Sequence, residues 1–171
     1  MEDRNLPVMP VQSSDIDTLY AEYSNMVYRL ALVRTRNTSD AEDIVQDVFL
    51  RYLRFSPVFE SKEHQKAWLI TVTINRTNSI LGSAYRKHSV PFELFGDPGA
   101  EDNLPDSTVY DAVLKLPSKF RTVIHLFYYE DYSVKEIASI MHASETAVKT
   151  WLRRARLKLQ NDLKEDIEDV S

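Results

Sequence analysis

No cysteine occurs among the 171 residues, which excludes disulfides and thiolate metal sites. Glycine is nearly as scarce, with three residues, so phosphate-cradling loops and sheet-rich folds built on glycine turns are disfavoured. No segment approaches the roughly 18 consecutive apolar residues of a membrane span, and Met1 to Gln12 holds no apolar run behind a basic start. A cytoplasmic protein without membrane insertion is the expectation. His64, His88, His125 and His142 are scattered, with no metal-ligand spacing such as H-E-x-x-H, and there is no Walker loop or Ser-His-Asp set. No metal, cofactor or catalytic residue is therefore expected, and no enzyme. His125 stands amid apolar residues and reads as a core histidine.

A surplus of positive charge is also missing, since the formal net charge is -5. Its distribution says more than its sum. Lys62, Lys66, Arg76, Arg86 and Lys87 outnumber Glu60 and Glu63 between residues 56 and 88, whereas residues 89–112 carry acids and no Lys or Arg. Residues 149–164 are basic again, with Asp162 as the lone acid, and the end turns acidic. Two basic blocks flanking an acidic one suggest two contact surfaces joined by a segment that avoids polyanions.

Hydrophobic residues make up 43% of the chain, enough for packed cores. Ile16, Leu19, Tyr20, Tyr23, Val27, Leu30 and Ala31 have helical spacing and predict a helix to about Arg36. Ser39 and Glu42 fit a capping box opening a second helix, with Ala41, Ile44, Val45, Val48, Phe49 and Tyr52 on one stripe. A third helix is predicted from Lys62 to Leu81, stopped near Gly82. Pro91, Gly96, Pro98, Gly99 and Pro105 mark a linker. Helices resume at Thr108, turn at Leu116-Pro117, and run to about Tyr129. The expectation is an all-α chain of two small helical domains joined by a flexible linker: an extension over 1–14, a domain over 15–88, the linker over 89–107, a second domain over 108–164 and a tail over 165–171.

The strongest pattern spans Ser133 to Leu159. Ser133 and Glu136 can cap a short helix, a tight turn follows, and Ser144 can cap a long helix with Val148, Leu152 and Ala155 on one face. Small Ala138 lets the two helices approach closely. This is helix-turn-helix logic, in which the second helix enters the major groove by its N-terminal end. Glu145, Thr146, Lys149, Thr150 and Arg153 then point outward near that end, where Lys, Arg and Thr can reach base edges. Arg154, Arg156 and Lys158 are better placed for phosphates. His142 sits where many such turns carry glycine. A helical hairpin with a merely basic surface is the plain alternative.

The stretch LPSKFRTVIHLFYYEDYSVKEIASIMHASETAVKTWLRRARLKL resembles region 4 of the extracytoplasmic-function (ECF) sigma factors of the sigma-70 family. Leu116-Pro117, Arg121, the Tyr128 to Ser133 connector, Glu136-Ile137-Ala138, Val148-Lys149 and Arg154-Ala155-Arg156 carry the match. Response regulators share that pattern, but DAEDIVQDVFLRYLR (Asp40 to Arg54) resembles region 2.2 and AWLITVTINRTNSIL (Ala67 to Leu81) resembles regions 2.3 to 2.4. The resemblance implies two domains, region 2 and region 4. It implies that Asp43, Gln46 and Asp47, which share a helix surface, bind the clamp helices of RNA polymerase core, and that region 4 meets the polymerase flap. It places Trp68 where an aromatic wedges the melted -10 element; a core aromatic is the other reading of that residue. Asn75, Arg76, Asn78 and Ser79 form a polar face for -10 DNA, and the loop 56–65 lies where a flipped base is captured. Ser144 and the residues named above would meet the -35 element. An anti-sigma factor is the expected regulator. The chain departs from the family where an Asp and a basic run often end the third helix; here Ser79 is followed by Gly82-Ser83, with Arg86-Lys87 later. The rival functions are a stand-alone helix-turn-helix regulator of duplex DNA and a pure interaction module.

Overall fold

The computed structural model describes residues 13–55, 57–88 and 107–170. The expected extension through residue 12 and the expected linker up to residue 106 lie outside the described residues. Among the described residues there are seven α-helices, one π-helical turn and no strand. In order they are α1 (Ser13–Thr35), α2 (Thr38–Phe55), α3 (Lys62–His88), α4 (Ser107–Leu114), α5 (Ser118–Ile124), the π-turn His125–Tyr129, α6 (Val134–Ile140) and α7 (Glu145–Val170). The fold is all-α, as the periodicity predicts.

The six apolar positions predicted as the inward stripe of α2 are its six buried residues. They pack on Leu19, Tyr23 and Val27 of α1 and Leu69 of α3. A second cluster joins α4 to α7 through Val113, Leu116, Ile124, Leu126, Ile137, Val148, Leu152 and Ala155. Leu30 of α1 and Ile70 and Ile74 of α3 belong to this second cluster. The two units therefore share apolar surface.

Three local expectations change. Asn37, not Ser39, caps α2: its Oδ1 accepts from the Asp40 amide at 2.9 Å. The left-handed Arg36 (φ 54°) ends α1 one residue earlier and brings Asn37 into capping position. Gly82 does not stop α3, which continues to His88. One helical glycine costs about 1 kcal/mol relative to alanine, too little to end a helix without a left-handed residue. Helix α7 runs past Leu163 to Val170 because no Gly or Pro follows to break it.

Candidate DNA and polymerase interfaces

The helix-turn-helix forms as its caps predict. The Ser133 hydroxyl accepts from the Glu136 amide at 3.1 Å, and Glu136 accepts from the Ser133 amide at 2.8 Å. After α6 the Ala143 amide donates to Ala138 O at 2.9 Å and the His142 amide to Ser139 O at 3.4 Å. These two bonds satisfy the last carbonyls of α6 and require a left-handed residue at His142, whose φ is 52°. The Ser144 hydroxyl then caps α7 by accepting from the Ala147 amide at 3.0 Å.

Val148, Leu152 and Ala155 are buried against α5 and α6, which fixes the rotation of α7. Glu145, Thr146, Lys149, Arg153, Arg154 and Lys158 consequently face solvent. The Thr150 hydroxyl donates back to Thr146 O at 3.0 Å, so its proton is engaged within the helix. Arg156 is held at the protein surface rather than extended. Its Nε donates to the Tyr128 hydroxyl at 2.7 Å, and its guanidinium lies 5.5 Å and 5.6 Å from the ring centres of Phe127 and Tyr128.

On α2, Asp43 and Gln46 are exposed and Asp47 is partly exposed, on the side away from the core. Asp47 pairs with Arg51 at 3.1 Å and also with Arg76 of α3. The structure thus joins a residue expected to meet polymerase to one expected to meet DNA. Asn75, Asn78 and Ser79 are exposed along α3. Trp68 is half-buried in a ring cluster, 5.8 Å from Tyr52 and 5.9 Å from Phe59.

Two residues to which the sequence analysis assigns no structural role, Arg34 and Arg121, organise the middle of the molecule. Arg121 of α5 is fully buried, donating to Val33 O at 2.7 Å, Arg34 O at 2.9 Å and Leu116 O at 2.6 Å. Arg34 of α1 is buried in return, donating to Thr122 of α5 and to Thr77 and Asn78 of α3. Burial lowers the pKa of both guanidiniums, to about 10 for Arg34 and about 9 for Arg121, the latter also by repulsion from Arg36 and Arg34. The signal was available: each is a single cation inside an apolar run, ALVRT and FRTVI.

Nearby, Lys66 of α3 pairs with Glu130 at 3.0 Å and lies 5.4 Å from the Tyr132 ring centre. His125 is buried as expected, stacks on Tyr129 at 5.4 Å, and directs Nε2 toward Glu130 at 3.6 Å. That nitrogen has no hydrogen-bond partner. Burial raises the Glu130 carboxyl, but the opposing pull of His125 and Lys66 leaves it below the ordinary carboxylate range. No helix among the described residues is long and apolar enough to cross a membrane.

Comparison with known proteins adds two family matches. Residues 19–87 match the family described as Sigma-70 region 2, and residues 107–159 match Sigma-70, region 4. The ECF RNA polymerase sigma factor SigM of Bacillus subtilis is 30% identical over 155 residues, covering 85% of this chain and 93% of SigM. The ECF RNA polymerase sigma factor SigL of Mycobacterium tuberculosis is 31% identical over 156 residues, covering 83% of this chain and 87% of SigL. Among solved structures, the sigma factor RpoE in complex with the anti-sigma factor NepR from Bartonella quintana superposes with a TM-score of 0.72 at 23% identity, covering 88% of this chain and 98% of that one. CnrH in complex with the cytosolic domain of CnrY gives 0.66 at 24% identity, covering 91% of each chain. At these identities the superpositions establish the fold.

Proposed function

Because this chain belongs to the ECF sigma factors of the sigma-70 family, we propose a division of labour among its surfaces. The chain is a transcription initiation factor and not an enzyme; RNA synthesis belongs to the polymerase core. Residues 15–88 bind core through Asp43, Gln46 and Asp47 on the clamp helices, and read the -10 element through Asn75, Arg76, Asn78 and Ser79. Trp68 stands at the upstream edge of the melted strand, where an aromatic can replace lost base stacking. Residues 108–164 meet the polymerase flap and read the -35 element from the N-terminal half of α7. The segment 89–107 links the two, and the factor works in the cytoplasm.

The rotation of α7 carries this reading. With Val148, Leu152 and Ala155 buried, Lys149 and Arg153 project from the exposed face within the first turns. Such a face presents charged donors to the guanine acceptors of a major groove. The solved complex of the sigma factor RpoE with the anti-sigma factor NepR supports control by an anti-sigma factor. The test is run-off transcription with core polymerase on a promoter library. Core-dependent initiation from a defined -10 and -35 pair is the expected result. Tight specific footprints by the isolated chain, without core-dependent transcription, would instead mean a stand-alone regulator.

A further inference from the structure

We infer that the cleft lined by α1, α3, α5 and the turn after α6 binds the terminal phosphate of a nucleotide-sized ligand, with Arg34 and Lys119 as its two cations. The site goes beyond the promoter reading above, and it stands whether or not Asn75 and Asn78 also meet DNA.

Arg34 is a buried charge without an opposite. It is 4% exposed, and its Nε, Nη1 and Nη2 donate to Thr77, Thr122 and Asn78. All of these acceptors are neutral. Among the described residues no carboxylate lies within ion-pair distance of Arg34. Buried charges in folded proteins are ordinarily paired, because an unpaired one gives up its hydration without compensation. Burial lowers the Arg34 pKa to about 10, so the group is still a cation at neutral pH. One hydrogen of each terminal nitrogen is engaged, and the other remains to be donated. Donors on two nitrogens of one guanidinium can each take an oxygen of the same phosphate.

The cleft that Arg34 lines has a volume of about 310 Å³. That is the lower end of the roughly 300–1,000 Å³ typical of small-molecule sites. Lys119 lines it from α5, one turn before Thr122, with its ammonium 4.6 Å from the ring centre of Trp151. Asn75, Asn78 and Ser118 add amides and a hydroxyl, and among the described residues no Asp or Glu lines the cleft. Ile74 and Met141 supply an apolar wall that suits the flat body of a base. A phosphate monoester carries a charge of about -1.5 to -2 at pH 7, which matches two cations. A backbone diester or a carboxylate carries a single charge. This difference favours a free mononucleotide over a DNA strand.

The experiment is calorimetric titration of the full chain at constant ionic strength. The probes are adenosine monophosphate, inorganic phosphate, adenosine, and a dinucleoside monophosphate as the diester. Saturable binding is expected for adenosine monophosphate and, more weakly, for inorganic phosphate; adenosine should not bind, and the diester should bind less tightly than the monoester. Lys119→Ala should weaken the monophosphate by about two- to fivefold, the range of an exposed ion pair. Lys135→Ala, an exposed lysine outside the cleft, should leave it unchanged. Asn78→Asp places a carboxylate where Arg34 already donates. It should supply the missing anion, raise Tm and abolish phosphate binding. If that variant instead lowers Tm, Asn75→Asp, at an exposed position in the same cleft, should abolish binding by repulsion. No saturable binding of either phosphate probe overturns the site. So does undiminished binding in both Asp variants, or an equal loss in Lys135→Ala and Lys119→Ala. Equal affinity for the diester overturns the choice of a terminal phosphate.

Discussion

Replacing Lys149 or Arg153 by alanine should change which -35 sequences are used, whereas Lys158→Ala should not. Helix α7 begins at Glu145. At 1.5 Å per residue Lys149 lies about 6 Å along it, Arg153 about 12 Å and Lys158 about 20 Å. A major groove is about 12 Å wide, so a helix entering by its N-terminus puts the first two at base edges and leaves the third near the backbone. The burial of Val148, Leu152 and Ala155 turns Lys149 and Arg153 outward, and both are exposed. Loss of a base-reading contact should cost about 1–3 kcal/mol, or roughly 5- to 150-fold at one or two promoter positions. Loss of the Lys158 phosphate contact should weaken every sequence alike and reduce the salt slope by about one unit. The assay is transcription from a randomised -35 library for each variant at two salt concentrations. If Lys149→Ala and Arg153→Ala both scale every promoter down equally, α7 is not in the groove as argued.

Changing Asp43, Gln46 and Asp47 together to alanine should weaken polymerase capture in a pull-down while leaving helix content unchanged by circular dichroism; undiminished capture removes the assignment. His142→Gly should stabilise the chain by about 1 kcal/mol, because glycine adopts the left-handed turn without strain; for a chain of this size that is about 2–4 °C in Tm, and an unchanged or lower Tm in calorimetry would refute it. Glu130 has its pKa lowered in the folded chain by His125 and Lys66, so its stabilising contribution is complete above the ordinary carboxyl pKa and fades as pH falls through the lowered value. The difference in urea midpoint between the parent and Glu130→Gln should therefore shrink on acidification, and a gap that widens toward acid pH would contradict the sign.

Periodicity and most caps are local properties that the chain alone determined well, the start of α2 excepted, where Asn37 and not Ser39 is the cap. The α2 stripe, the Ser133–Glu136 box and the Ser144 cap depend on residues within a turn or two of one another, so spacing was enough to predict them. The helix-turn-helix and the outward set on α7 follow from that same short-range logic. Helix ends were less legible where the competing free energies are small, as at Gly82 and after Leu163. What only the tertiary structure decided lies between residues far apart in sequence. Arg34 and Arg121 are 87 positions apart, and nothing local says that each will satisfy the other's helix. Asp47 and Arg76, expected to serve different partners, meet because α2 and α3 pack side by side. Arg156, expected from its position to meet phosphates, is folded onto Phe127 and Tyr128. Burial of a charge is favourable only when distant groups arrive together to supply its hydrogen bonds, and that coincidence belongs to packing, not to any one segment.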